Sequence, residues 1–191
     1  MVARLVVLAS GSGSLFQAIM DSVDKGELAA EIVAVISDQP HAQVLRRASN
    51  SSIPTYILPM TDDRSQWDQQ IFDLVSTLKP TLVVSAGFMR ILNPNFVSTF
   101  KVINSHPALL PNFPGAHAVR DALAAGAKKT GTTVHWVDSG VDTGEIIAQA
   151  SVDILPEDDE ASLHERIKIL ERGLIVATIS KLLPSLERKS V

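Results

Sequence analysis

The fold is decided by residues 4–20, which read RLVVLASGSGSLFQAIM. Residues 4–9 form a short apolar run with little period-two alternation, which is typical of a strand covered by helices on both faces of a parallel sheet. A glycine–serine turn follows at residues 10–14, and a helical pattern begins at once after it. A strand, a tight loop and a helix in direct succession predict the first unit of a doubly wound α/β fold.

The same alternation continues along the chain. Further strands are predicted at residues 31–37, 53–57, 81–86 and 102–105, with helices at 14–25, 41–51, 64–79 and 118–127. Residues 130–137 and 146–155 then predict two longer strands, and the loop at 138–145 between them has no room for a crossover helix. A long helix is predicted at 157–186. We therefore expect one domain over residues 1–191, α/β and doubly wound, with a mostly parallel, mixed sheet and helices on both faces.

Composition excludes several classes of function. The 191 residues include no cysteine, so disulfides, thiolate metal sites and a cysteine nucleophile are ruled out. A net charge of −4 argues against broad nucleic-acid binding, which needs a basic face. No apolar run has the length of a membrane span, and the N-terminus lacks the pattern of a signal peptide. We expect a cytoplasmic protein, monomeric or homodimeric, whose partners are small molecules rather than membranes or nucleic acids.

The glycine loop at residues 10–14 has three possible interpretations. Backbone N–H groups at the start of a helix, with serine hydroxyls beside them, suit a phosphate. A dinucleotide is the second possibility, because Asp38 is suitably placed for a ribose hydroxyl, although Phe16 stands where a small residue is expected. The third is a structural helix cap without a ligand. A Walker A loop is excluded, because no lysine precedes the last serine.

Two polar side chains lie at the end of the strand at 102–105. Asn104 and His106 point to one side of an extended chain, while Ser105 faces away, and Pro107 ends the strand. The carboxyl ends of parallel strands are where open α/β sheets bind ligands. Two convergent donors suit a carbonyl oxygen that becomes negative during nucleophilic addition. A polar pair that satisfies local backbone groups remains an equal alternative.

Asp142 lies in the glycine-containing loop at 139–144, where aspartate is often a simple turn residue. If Asp142 contacts His106, it would favour the imidazolium and make a better general acid. His117 and His135 have no carboxylate or histidine at recognised ligand spacing, so no metal site is predicted.

Five segments occur in an order that identifies a family. They are GSGS at 11–14, AGFMRIL at 86–92, NSHPALLP at 104–111, PG at 114–115 with His117, and VDTG at 141–144. Together they resemble the glycinamide ribonucleotide formyltransferase family over nearly the whole chain. The resemblance implies a formyltransferase-type fold with the phosphate and ribonucleotide side in the N-terminal half and the folate side in the C-terminal half. It also implies direct formyl transfer from 10-formyltetrahydrofolate to the amine of glycinamide ribonucleotide, in de novo purine (IMP) biosynthesis.

The resemblance also assigns site residues. It implies catalysis by Asn104, His106 and Asp142 through a tetrahedral oxyanion, without a metal. Ribonucleotide binding is implied for Gly11, Ser12, Gly13, Ser14, Leu15 and Glu171. Folate binding is implied for Arg64, Met89, Arg90, Ile91, Leu92 and Asn104, with Arg90 able to meet the folate glutamate. Leu15 and Ser105 depart from the usual Asn and Ile of the family, and Ser105 is expected to face away from the site.

Two other enzymes fit parts of the pattern. A formyltetrahydrofolate deformylase would use water as the acceptor, but usually carries an additional N-terminal domain, whereas this chain begins directly at the first strand. An NAD-dependent dehydrogenase is favoured by Gly11, Gly13 and Asp38, and is opposed by Phe16 and by the lack of a second cofactor-binding half.

Overall fold

The fold is that of a computed structural model, which describes residues 2–187. Met1 and residues 188–191 of the predicted domain lie outside the described residues. The strands are β1 (Ala3–Leu8), β2 (Ala30–Ser37), β3 (Thr55–Ile57), β4 (Leu82–Ser85), β5 (Val102–His106), β6 (Lys129–Trp136) and β7 (Ile146–Asp153). The helices are α1 (Ser14–Asp24), α2 (Gln43–Asn50), α3 (Arg64–Leu78), α4 (Pro94–Thr99), α5 (Ala118–Ala124) and α6 (Glu160–Glu187).

The seven strands form one mixed sheet in the order β3-β2-β1-β4-β5-β6-β7. β1 to β5 run parallel to one another, whereas β6 pairs antiparallel with β5, and β7 antiparallel with β6. The sheet confirms the predicted α/β fold with a mixed sheet. The chain winds outward in opposite directions from the neighbouring strands β1 and β4, and this reversal opens a crevice beyond their carboxyl ends.

The core consists of two layers, one on each face of the sheet. Leu5 and Val7 of β1 pack with apolar residues of α1, α2 and α6 on one face. Val6 and Leu8 pack with α3 and α4 on the other. All four side chains are 0% exposed, which explains why the strand shows no polar alternation.

The structure adds one helix to the prediction and changes several boundaries. α4 is short and was not predicted, although Asn93 caps it by accepting a 2.8 Å hydrogen bond from Phe96 N–H, and Pro94 occupies its first turn. α6 starts at Glu160 rather than at residue 157, because the Asp159 carboxylate accepts a hydrogen bond from Ser162 N–H and caps the helix there. β3 is limited to three residues at the exposed edge of the sheet. In the described part of the chain, no helix combines the length and apolarity needed to cross a bilayer.

Candidate active site

A cavity of about 630 Å³ lies at the carboxyl ends of β1, β4 and β5. This size and position are those of a small-molecule site in an open α/β sheet. Its wall includes all three predicted catalytic residues, all six predicted ribonucleotide residues, and five of the six predicted folate residues. The members are Gly11, Ser12, Gly13, Ser14, Leu15, Met89, Arg90, Ile91, Leu92, Asn104, His106, Asp142 and Glu171. Arg64 is the predicted residue that does not line it.

The glycine loop leads into α1 without a side-chain cap. Gly13 takes the left-handed conformation, with φ of 74°, and a Cβ there would lie 2.7 Å from the Cβ of Val44. Only glycine fits both conditions. Because no side chain caps α1, the N–H groups of its first turn remain available at the cavity, as an anion site requires.

Ser10 has a different role from the one predicted. Its hydroxyl, expected to serve an anion, donates to Asp38 and accepts a 2.9 Å hydrogen bond from Met89 N–H. Arg90 Nε donates to the other oxygen of Asp38 at 2.7 Å. Asp38 is 2% exposed, so it is not available to a ribose hydroxyl as the dinucleotide interpretation required.

The charge of Asp38 is stabilised where it lies. Burial favours its neutral form, but hydrogen bonds from Ser10, Gln39 and Arg90 outweigh burial and hold the Asp38 pKa below its usual value. The ion pair between Arg90 and Asp38 also fixes the direction of the Arg90 side chain. In this structure Arg90 therefore binds Asp38, whereas the family resemblance implies that it can meet the folate glutamate.

The segment at residues 87–92 presents two exposed apolar side chains at the cavity. Met89 is 66% and Ile91 57% exposed, whereas Leu92 is buried. Arg64 lies behind this segment, where its guanidinium donates to the Ile91 carbonyl oxygen and, through Nε, to Asp68 at 2.9 Å. Arg64 therefore supports the wall in this structure.

The predicted catalytic residues come together. Asn104 and His106 lie two residues apart on β5 and both line the cavity, and Asp142 reaches His106 from the loop between β6 and β7. His106 Nδ1 lies 3.3 Å from Asp142 Oδ2, and its Nε2 lies 2.8 Å from the carbonyl oxygen of Phe113. Asp142 also accepts a 2.8 Å hydrogen bond from Gly115 N–H. The structure thus contains the contact between His106 and Asp142 that sequence spacing could not show.

His135 is a further member of the cluster, considered at first only as a metal ligand. It lies opposite Asn104 in the β5–β6 pair, 2% exposed. Its Nε2 lies 3.5 Å from Asp142 Oδ1. Burial favours the neutral form of Asp142, but the contact with His135, the Gly115 N–H and the charge of His106 lower the Asp142 pKa. Asp142 is therefore a carboxylate at neutral pH, the state that supports an imidazolium.

Glu171 of α6 closes the cavity on the side of the glycine loop. The residue is 5% exposed, and its carboxylate accepts a 2.9 Å hydrogen bond from Ser105 Oγ–H. Ser105 does point away from Asn104 and His106, but it is not outside the site, because it lines the cavity and holds Glu171. Burial raises the Glu171 pKa, and the Ser105 hydrogen bond and the charge of Lys168 only partly oppose this.

Sequence reasoning missed two residues of α6. Lys168 and His164 line the cavity with Glu171. The spacing of Glu160, His164 and Lys168 at intervals of four residues was a usable signal, because it places all three on one face of a helix. Within residues 2–187, no group of three potential metal ligands is placed to share one ion.

The cavity combines an uncapped helix start, an Asn–His–Asp cluster and a mainly apolar wall, on an open α/β sheet. This chain belongs to the formyl transferase family, whose sequence pattern matches residues 3–179. It is accordingly an enzyme of formyl transfer, and the family resemblance of the five sequence segments is confirmed.

The similar proteins carry one specific description. Phosphoribosylglycinamide formyltransferase of Mycobacterium tuberculosis is 50% identical over 184 residues, which cover 94% of this chain and 85% of that protein. The Escherichia coli protein of the same name is 38% identical, over 93% of this chain and 85% of its own length. The solved structure of glycinamide ribonucleotide transformylase 1 from Geobacillus kaustophilus matches with a TM-score of 0.91 and 37% identity, over 96% of this chain and 100% of that one.

Proposed function

We propose that this enzyme transfers the formyl group of 10-formyltetrahydrofolate to the amine of glycinamide ribonucleotide, a step of purine biosynthesis. The observation that carries the proposal is one cavity in which the uncapped start of α1 lies beside an Asn–His–Asp cluster. The names of the Mycobacterium tuberculosis and Escherichia coli relatives support the same acceptor. We further propose that the enzyme acts in the cytoplasm on these two small molecules, as a monomer or homodimer, without a metal.

The acceptor is assigned to the glycine loop and α6. In this proposal, the phosphate accepts hydrogen bonds from N–H groups of residues 11–15, at the positive end of α1. Lys168, on the facing helix, adds a positive charge. Glu171 accepts hydrogen bonds from the ribonucleotide, and Leu15 contributes its backbone rather than its side chain, because that side chain is buried in the core.

The formyl donor is assigned to residues 87–92 and Asn104. In this proposal, Met89 and Ile91 offer apolar surface to the flat pterin, and backbone groups of the segment offer hydrogen bonds to its edge. Arg90 and Arg64 are placed on this side, and Arg64 would have to leave the Ile91 carbonyl to meet the folate glutamate.

The reaction proceeds in this proposal by direct attack of the acceptor amine on the formyl carbon. Asn104 Nδ2–H and His106 donate to the oxygen, which becomes negative as the carbon–nitrogen bond forms. The attacking nitrogen gives up a proton to solvent. His106 then delivers a proton to the folate nitrogen as its bond to the formyl carbon breaks and the carbonyl re-forms, and Asp142 stabilises the imidazolium that donates this proton. Because both ring nitrogens of His106 face protein acceptors without substrate, the ring has to exchange one of these partners when substrate binds.

The test follows tetrahydrofolate formation from 10-formyltetrahydrofolate, with and without glycinamide ribonucleotide. We expect strict dependence on the acceptor, and a loss of about 10²-fold in kcat for Asn104→Ala and for His106→Ala. His41→Gln, an exposed histidine away from the cavity, is the control. Turnover without the acceptor would identify a deformylase instead. Thermal protection by NAD, without protection by a folate analogue, would point to a dehydrogenase.

A further inference from the structure

Ser85 holds the side chain of Asn104 from the neighbouring strand. The two residues pair in register at the carboxyl ends of β4 and β5. Ser85 Oγ–H donates to Asn104 Oδ1 at 2.8 Å, and the serine is 7% exposed in the cavity wall. Neither composition nor motif spacing indicates this contact, because it depends on the register of two strands that are 19 residues apart in sequence.

His135 determines which way round the amide lies. Its Nδ1 is 2.8 Å from the carbonyl oxygen of Trp136, and a carbonyl only accepts, so this nitrogen carries the hydrogen. Nε2 lies 3.3 Å from Asn104 Nδ2 and 3.5 Å from Asp142 Oδ1. In the neutral ring Nε2 is an acceptor, and only the Asn104 amide offers it a hydrogen, whereas a protonated ring would donate to the Asp142 carboxylate. The N–H₂ end of Asn104 therefore turns toward His135, and its oxygen turns toward the donor on Ser85.

We propose that Ser85 is a positioning residue for formyl transfer, which acts by fixing the orientation of the Asn104 amide. The proposal rests on the proposed function. With Oδ1 held by Ser85 and one Nδ2–H held by His135, the second Nδ2–H is directed to the place where the oxyanion forms. A preorganised donor stabilises that charge without reorganisation, whereas a reversed amide would turn an acceptor toward it.

Loss of the Ser85 hydroxyl leaves the half-buried amide oxygen of Asn104 without its donor. We expect Ser85→Ala to lower kcat about three- to tenfold, with the two KM values within about twofold, since one neutral hydrogen bond is involved. Ser85→Thr keeps the hydroxyl, and Ser85→Val has nearly the same shape as the threonine variant but carries a methyl in place of the hydroxyl. The threonine variant should therefore retain more activity than the valine variant. Ser22→Ala is the matched control, because Ser22 is 8% exposed and has one hydrogen bond to Glu27, remote from the cavity.

A double-mutant cycle with Asn104 separates positioning from a general structural effect. In an Asn104→Ala background, Ser85→Ala should change kcat less than about twofold, because the group that Ser85 orients is gone. The proposal is overturned if Ser85→Ala keeps the parent kcat, if the same loss recurs in that background, or if Thr and Val at position 85 are equal. A parent enzyme without acceptor-dependent transfer would overturn the proposed function itself.

Discussion

At the scale of single residues, burial of the Glu171 carboxyl lowers the free energy of unfolding when this group is ionised. Burial raises its pKa in the folded protein, whereas the unfolded chain ionises it near the ordinary value. A carboxyl with a raised folded pKa binds its proton more tightly when folded, so the free energy of unfolding falls as pH rises through the unfolded pKa and then levels above the folded one. Ser105 offsets part of this cost with the hydrogen bond that its hydroxyl donates to Glu171.

Glu171→Gln removes the ionisation and keeps the shape of the side chain. We expect the Tm of this variant minus the Tm of the parent to rise as the pH increases from about 4 to neutrality and above, while its KM for the ribonucleotide increases. Thermal melts across that pH range measure the difference. Glu31→Gln, at an exposed position on β2, should show no such trend. A difference in Tm that is constant with pH would contradict the buried charge.

At the scale of elements, two threonines of β6 make a matched pair. Thr133 is 0% exposed, and its hydroxyl donates to the Ala108 carbonyl oxygen at 2.6 Å and accepts from Leu110 N–H and Gln149 Nε2. Thr130 is 1% exposed, and its hydroxyl has no hydrogen-bond partner among the residues described. The Thr133 contacts hold the segment that follows His106 and carries the Phe113 carbonyl.

The same substitution should therefore have opposite effects at these positions. Thr133→Val leaves buried polar groups unpaired and should lower the free energy of unfolding by about 1–3 kcal/mol, with a loss of kcat as His106 loses its support. Thr130→Val removes an unpaired hydroxyl and should be neutral or stabilising. Urea denaturation of both variants measures the effect. If Thr133→Val and Thr130→Val destabilise the protein equally, the loss comes from placing valine in β6 and not from losing the hydrogen bonds of the Thr133 hydroxyl.

The loop between β1 and α1 provides a second matched pair. Gly13→Ala forces a side chain into the left-handed region and against Val44, so we expect a loss of at least about 2 kcal/mol in stability. A Cβ at Gly11 meets no atom within 4 Å, so Gly11→Ala should change stability by less than about 0.5 kcal/mol. The added methyl lies in the proposed phosphate site and should raise the KM for the ribonucleotide. An unchanged KM would place the phosphate elsewhere.

The helices and strands that were predicted correctly are those whose pattern of apolar residues is local in the sequence. Strands such as β1 and β4 are buried on both faces, and the helices between them carry their own periodicity, so local sequence suffices. α4 was missed because six residues carry little periodicity, although Asn93 and Pro94 signal a helix start. Ser85, His135 and Lys168 join the site through strand register and helix packing, which are non-local properties. The contact of Asp142 with His106 was likewise only a hypothesis until the loop was placed.

At the scale of the whole molecule, the two halves of the cavity are joined at the switch point of the sheet. Ser10 N–H donates to the Gly87 carbonyl at 3.0 Å, and Ser10 Oγ accepts from Met89 N–H. Asp38, from the end of β2, holds both Ser10 and Arg90. The loop assigned to the phosphate and the segment assigned to folate are therefore fixed to each other, and the Asp38 carboxylate links both to the end of β2.

This arrangement makes the fold sensitive to acid. Asp38 and Asp142 have lowered pKa values, so the unfolded chain takes up protons that the folded protein does not, and stability is lost as pH falls from about 4 through the folded values. Asp38→Asn should lose about 1–3 kcal/mol at pH 7, because Ser10 and Arg90 lose a charged acceptor. Below about pH 4, its stability should fall less steeply than that of the parent, by up to about 1.4 kcal/mol per pH unit. Urea denaturation from pH 7 to pH 3 measures how the free energy of unfolding of each protein depends on pH. Asp62→Asn, at an exposed position, is the control. The same pH dependence in Asp38→Asn and the parent would show that protonation of Asp38 does not cause the loss of stability in acid.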